Sequence, residues 1–192
     1  MKKLNLIIAL VSITFANAQT TWGFDQSHSS VRFSVDHMVI SQVEGQFTSY
    51  DGNVKTTKDD FSDAEINLNI DLNSINTADE KRDGHLKSAD FFDTANYPNM
   101  KFVSTSVTTT ANGKYNLKGN LTLHGVTKEV TLAMSYGGTV KDPWGNTKAG
   151  LKVTGKINRT DFGLKYNAAM ETGGLLIGEE VEITCKVELI KI

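Results

Sequence analysis

The chain has 192 residues, 39% of them hydrophobic, with 20 basic side chains against 22 acidic ones and a formal net charge of −2. That is the size of one ordinary globular domain, and the charge balance lacks the basic footprint that nucleic-acid binding demands. The single cysteine, Cys185, excludes an internal disulfide, and a chain of this length can bury enough core to fold without one.

In chain order, Met1-Lys2-Lys3 is a short basic region, Leu4 to Phe15 is apolar, and Ala16-Asn17-Ala18 has the small-x-small pattern of a cleavage site. The apolar run is too short for a permanent membrane anchor, and no cysteine follows the site to take a lipid. Residues 1–18 therefore read as a cleaved signal peptide, with a domain at 19–192 that is periplasmic or secreted and has no transmembrane segment. Loss of Lys2 and Lys3 leaves 18 basic residues against 22 acidic, a net charge of −4.

Strict apolar alternation then dominates. Val31, Phe33 and Val35 share one face, as do Ala64, Ile66, Leu68, Ile70 and Leu72. Tyr115 to Leu123, Val126 to Tyr136, Leu151 to Ile157 and Val181 to Leu189 repeat the pattern, and a period of two marks half-buried strands. Cys185 shares the apolar parity of the last run and reads as a small buried hydrophobe. Asp51-Gly52-Asn53, Ala111-Asn112-Gly113, His124-Gly125, Gly137-Gly138 and Asp142-Pro143-Trp144-Gly145-Asn146 read as the intervening turns. Short connections imply antiparallel neighbours, and many such strands with one apolar face close into a barrel or split into a sandwich. Long regular strands with only two prolines favour an all-β, extended antiparallel barrel of about eight strands.

One segment breaks the rhythm. Thr77 with Glu80 has the spacing of a capping box, and Asp83 with Lys87 forms an i,i+4 pair with the acid first. These predict a helix over about 78–88, within a helical excursion reaching residue 92.

Candidate chemistry is sparse. His28, His37, His85 and His124 show no metal-ligand spacing, so no metal site and no cofactor are expected. Lys128 is the only charged residue on the predicted inward parities, and neither paired inward carboxylates nor a nucleophile elbow occurs, so no catalytic residues are assigned. His37 shares the inward parity of Val31, Phe33 and Val35, either as a hydrogen-bonded core histidine or as a polar contact for a ligand. The apolar interior is either a solid core or a cavity, and the small inward residues Ala64, Gly119 and Gly155 leave room for the second.

Phe24-Asp25-Gln26-Ser27-His28-Ser29, Phe33-Ser34-Val35-Asp36-His37, Arg82-Asp83-Gly84-His85-Leu86 and Ala89-Asp90-Phe91-Phe92-Asp93 occur in that order. Tyr97-Pro98, Phe102-Val103-Ser104, Gly119-Asn120-Leu121-Thr122-Leu123-His124-Gly125-Val126-Thr127-Lys128 and Ile157-Asn158-Arg159-Thr160-Asp161-Phe162-Gly163 follow. Together these motifs resemble the YceI-like family across essentially the whole predicted mature chain, with Asn120 standing where relatives usually have an acid. The resemblance implies a lipocalin-like barrel, exported and non-enzymatic. It would hold a polyisoprenoid or similar lipid, such as a prenylated quinone or prenyl diphosphate, as a carrier or store with a stress-linked role, and some members are homodimers. On that reading Phe33, Val35, His37, Ile66, Leu68, Ile70, Leu121, Leu123, Leu132 and Met134 line the lumen, and Arg82, His85 and Arg159 contact a head group at the rim. A ten-residue strand spans roughly 33 Å, enough for several isoprene repeats. Two rivals remain: a histidine/aspartate hydrolase or isomerase, and a solid-cored dimeric interaction module.

Overall fold

The computed structural model describes residues 18–169 and 174–192, so the predicted signal peptide, apart from Ala18, lies outside the described residues. Alternation becomes eleven strands that line up as eight staves. β1 (Thr20–Phe24) and β2 (Ser30–His37) run in one line along β11 (Ile177–Lys191), with Phe24 opposite Leu189 and Val31 opposite Cys185. β3 (Ser41–Phe47) and β4 (Tyr50–Thr56) form the next stave, and β5 (Glu65–Asp71) with β6 (Ile75–Asn76) the third. β7 (Asn99–Ala111), β8 (Lys114–Leu123), β9 (Val126–Lys141) and β10 (Thr147–Asn158) follow in turn, each antiparallel to the one before. β10 pairs with β11, which closes the ring onto β1 and β2. The result is the expected antiparallel barrel, with no edge left along the staves.

Two predicted turns lie inside strands. Asp51-Gly52-Asn53 belongs to β4, where a Cβ on Gly52 would sit 2.1 Å from the Asn67 carbonyl oxygen, so the glycine permits close strand approach. Gly137-Gly138 belongs to β9, where the register against β10 shifts opposite Gly150 and Leu151 and Gly138 has φ of 115°. Those glycines make a bulge that bends the strand.

The helix α1 spans Glu80–Lys87 and lies between β6 and β7. Its cap is Asp79, whose carboxylate accepts from the amides of Lys81 and Arg82 at 3.0 Å each, so the expected capping box of Thr77 and Glu80 does not form. Ala78 at φ 60° turns Thr77 away, and the Thr77 amide and hydroxyl both donate to Asp83 at 2.9 and 2.6 Å. Asp83 therefore ties the helix to the barrel rather than pairing with Lys87. After Lys87 the chain runs through turns, so the excursion beyond that point is not helical.

The two ends of the barrel differ. Below β4 the loop at 57–64 folds under the staves and presses Phe61 into the interior, 1% exposed, with its ring 5.3 Å from Trp22 and 5.2 Å from Tyr136. Asp63 fastens this loop by accepting from the hydroxyls of Thr56 and Thr57 and from the Thr57 amide, and the Tyr115 hydroxyl donates to the Asp60 carbonyl. Burial opposes the charge on Asp63, but the Thr56 and Thr57 hydrogen bonds outweigh it and hold the carboxyl at about 2. The opposite end carries α1, the β2–β3 hairpin and the segment after β10.

Candidate functional site

Inward-facing side chains from all eight staves enclose a cavity of about 360 Å³ that reaches the α1 end of the barrel. Its wall includes Phe33, Val35, His37, Ile66, Leu68, Ile70, Leu121, Leu123 and Leu132, so nine of the ten residues expected at the lumen face it. Met134, the tenth, is buried but belongs to the packed closed end beside the loop at 57–64. Val130 and Val153, on the predicted inward parities, also line it, and residues that sequence reasoning missed complete the wall, among them Phe24, Phe47, Met100 and Phe102. Parity along β7 points to Met100 and Phe102, whereas Phe47 sits on a strand whose sequence, Ser41-Gln-Val-Glu-Gly-Gln-Phe47, barely alternates.

The small inward residues do not create this space. A Cβ on Gly119 would lie 2.3 Å from the Phe102 ring, and one on Gly155 would lie 2.4 Å from a Leu132 methyl. Each glycine is a seat already taken by a larger neighbour. Room lies instead among medium aliphatics such as Val35, Ile66, Leu68 and Leu121. Cys185 also faces the cavity, and burial pushes its thiol up to about 12, which keeps it protonated and unreactive.

Two of the three residues expected at the rim, Arg82 and His85, lie on α1. Arg82 donates from Nε to the Thr77 hydroxyl at 2.8 Å and from Nη2 to the Thr77 carbonyl at 2.7 Å, leaving three of five guanidinium protons without a protein acceptor among the described residues. His85 bonds Asp90 at 2.9 Å, and its ring meets Phe91 and Tyr166 edge-on at 5.0 and 4.8 Å. Both residues border the cavity. Arg159 borders it too, but is 5% exposed and already committed. It donates to the carbonyls of Gly178, Leu164, Tyr166 and Ile177, at 2.8, 2.5, 3.0 and 3.3 Å. The motif around it is architecture: Asn158 caps the following 3-10 turn, Phe162 is buried, and Gly163 ends the turn at φ 83°.

The four histidines are dispersed. His124 lies in the β8–β9 turn against Tyr97, with ring centroids 4.7 Å apart, and His37 faces the lumen. Among the described residues, His28 is the one histidine within a cluster of three or more potential metal-ligating groups, with Asp25 and Glu188, whose ligand atoms lie within 4.8 Å of one another. Lys148 fills that cluster, paired to Asp25 and, at 3.0 Å, to Glu188, with its ammonium where a cation would sit. Lys148, Ser27 and His28 hold the Asp25 carboxyl well below the usual carboxylate range. The group pins the break between β1 and β2 to β10 and β11 and does not border the lumen. Lys128, assigned inward by parity, instead reaches out to Asp161 at 3.1 Å. Among the described residues no helix is long and apolar enough to cross a membrane.

This architecture recurs in known proteins. UPF0312 proteins of Staphylococcus aureus are 38% identical over 170 residues, covering 88% of this chain and 96% of theirs. The crystal structure of a YceI protein from Campylobacter jejuni superposes with a TM-score of 0.70 at 27% identity, covering 100% of this chain and 99% of that one. A polyisoprenoid binding domain from Saccharophagus degradans, implicated in plant cell wall breakdown, shares the fold with a TM-score of 0.68 at 18% identity, covering 89% of this chain and 98% of that one. The family model for the YceI-like domain matches residues 22–189, and the chain belongs to that family.

Proposed function

We propose that this protein binds a long apolar lipid, a polyisoprenoid or similar chain of the prenylated-quinone or prenyl-diphosphate type, in the barrel lumen. It acts as an exported, non-catalytic carrier or store. The observation that carries the reading is the aliphatic cavity itself, closed at one end and reaching the rim at the other. Each buried five-carbon repeat offers on the order of 3–4 kcal/mol of transfer free energy, so the wall needs no specific polar contact to hold a tail. The polyisoprenoid-binding description of the S. degradans domain supports the same class of ligand. The basic, apolar and small-residue succession at 1–18 supports export to the periplasm or beyond, where a tail that cannot cross water needs a soluble carrier.

Phe33, Val35, Ile66, Leu68, Ile70, Leu121, Leu123 and Leu132 hold the tail. Arg82, His85 and His37 meet the head group, because all three border the cavity and Arg82 keeps donors in reserve. Arg159 serves the rim as a brace rather than as a ligand contact, and Met134 serves the plug.

Native mass spectrometry of the protein purified from its own host tests this. We expect an apolar adduct that organic extraction removes and a prenylated quinone restores, and a Leu68→Trp variant that fails to take it up. Recovery of no lipid together with no uptake of a prenylated quinone or prenol by the wild type would sink the proposal.

A further inference from the structure

The strands of the β2–β3 hairpin belong to the cavity wall, through Val35, His37 and Val43, but the turn that joins them does not. That turn is Met38-Val39-Ile40, where Val39 and Ile40 are 82% and 83% exposed and Met38 is 41% exposed. The Ile40 amide donates to the His37 carbonyl at 3.3 Å, with Met38 and Val39 at φ 55° and 63°. Positive φ at both central positions is the type I′ geometry, which suits Asn-Gly and penalises large and β-branched residues. The Met38 amide donates to the Leu176 carbonyl at 2.8 Å, which holds the turn against the chain entering β11. Three consecutive large apolar residues thus occupy a turn that neither buries them nor suits them. We infer that Met38, Val39 and Ile40 form an insertion tip that seats the open end of the barrel on a lipid bilayer, so that an apolar chain passes between membrane and lumen without crossing water.

The inference rests on the lipid-binding reading above for what is passed, while the membrane contact stands on the tip itself. Exposed apolar surface is gathered at this end of the barrel. Of the ten large apolar or aromatic side chains exposed among the described residues, six lie here. Besides the tip these are Tyr97 beside the β8–β9 turn, and Tyr166 and Leu175 between β10 and β11. Tyrosine is favoured at the membrane–water boundary, where its ring and its hydroxyl both find a partner. A second protein fits the tip less well. Three adjacent side chains fall well short of the roughly 800 Å² that each partner of a stable complex buries. Charge does not make up the difference, because the hairpin from Phe33 to Phe47 has no lysine or arginine and carries Asp36 and Glu44. A bilayer needs neither area nor charge complementarity, since an apolar tip reaches the acyl boundary about 5–10 Å below the head groups.

Phosphatidylcholine vesicles carrying a prenylated quinone, mixed with the protein purified from its own host and freed of bound lipid, provide the test. The wild type is expected to float with the vesicles without anionic lipid and at any salt concentration, and to draw quinone out of them. A double variant, Met38→Asn with Val39→Gly, supplies the residues that the turn favours and so folds at least as stably. Its vesicle binding and extraction rate should fall by about tenfold or more, the loss of two apolar side chains from lipid. Quinone supplied in detergent should still fill its lumen to the wild-type extent. Equal vesicle binding and equal extraction in variant and wild type would overturn the tip assignment and leave the lumen reading standing. Binding that requires anionic lipid and disappears in salt would overturn it too. Concentration-dependent pairing of the wild type, lost in the variant and without vesicle binding, would give the tip to a second copy instead. Tip-dependent vesicle binding by a protein that takes up no quinone from detergent would sink the lumen reading and leave the tip assignment intact.

Discussion

The two ends of this barrel solve opposite problems with the same staves. At the closed end, Trp22, Phe61, Tyr115, Met134, Tyr136 and Leu189 fill the interior, and Asp63 ties down the loop that delivers Phe61. At the open end the inward positions stay apolar but do not meet, α1 has no fully buried residue, and the β2–β3 hairpin leaves Val39 and Ile40 exposed. Packing is spent where it stabilises the fold and withheld where a cavity is kept. Stability should therefore be sensitive to the plug and indifferent to the rim, with ligand retention showing the reverse.

The largest expected effect is at the plug. Phe61→Ala removes a fully buried ring between Trp22 and Tyr136 and should cost about 3–5 kcal/mol in guanidinium unfolding. The ring sits at φ 60°, a conformation that bulky residues rarely adopt, so packing must hold it there. A loss well below that range would show that the loop relaxes once the ring is gone and that the closed end is not rigid.

Next comes Arg159, a rim residue that should behave like a plug residue. Arg159→Met strands the four carbonyls its fork serves and should cost about 3 kcal/mol, with Arg159→Lys recovering little because one ammonium cannot reach all four. Full stability of the methionine variant together with loss of head-group binding would return Arg159 to the ligand.

Asp63 gives a smaller, pH-dependent signature. Its folded value of about 2 lies below the unfolded carboxylate's, so its contribution is present above about pH 4 and lost as pH falls toward 2. That contribution is on the order of 1–2 kcal/mol, and Asp63→Asn should remove it at neutral pH while the gap to wild type closes as acid is added. An equal gap at both ends of an acid titration would mean that the hydrogen bonds, not the charge, fasten the loop.

The smallest effect on stability is expected at the rim. His85→Ala breaks an exposed contact with Asp90 and should shift unfolding by less than about 1 kcal/mol. Its release rate for a prenyl diphosphate should rise while that for an uncharged prenol does not. Equal release rates in the variant and the wild type would remove His85 from the head-group site.

Much of this was legible in advance because a period of two leaves little choice. Ile66-Leu68-Ile70, Leu121-Leu123 and Phe33-Val35 had to face the interior of any closed antiparallel sheet, and they do. What misled was local chemistry with two meanings. Glycines that read as turns proved to be a bulge in β9 and a close approach in β4, since the same conformational freedom serves all three. Thr77 and Glu80 match a capping box, yet Asp79 lies closer to the helix start and takes the amides. The turn between β2 and β3 gave no warning, because Met38 and Val39 occupy the left-handed region at φ 55° and 63° without glycine or asparagine.

The sequence by itself determined the class of fold, the parity of each stave and hence the apolar lining, because alternation is a local property of a pleated strand. Whether that lining met or stood apart was a tertiary decision. It depended on Phe102 and Leu132 falling into the space above glycines on neighbouring strands, and on a loop from β4 carrying Phe61 under the barrel. It also depended on which side-chain donors the backbone had already claimed, which left Arg82 with protons to offer and Arg159 with almost none. Cross-strand packing and donor counts are set by distances between residues far apart in the chain, and no periodicity records them.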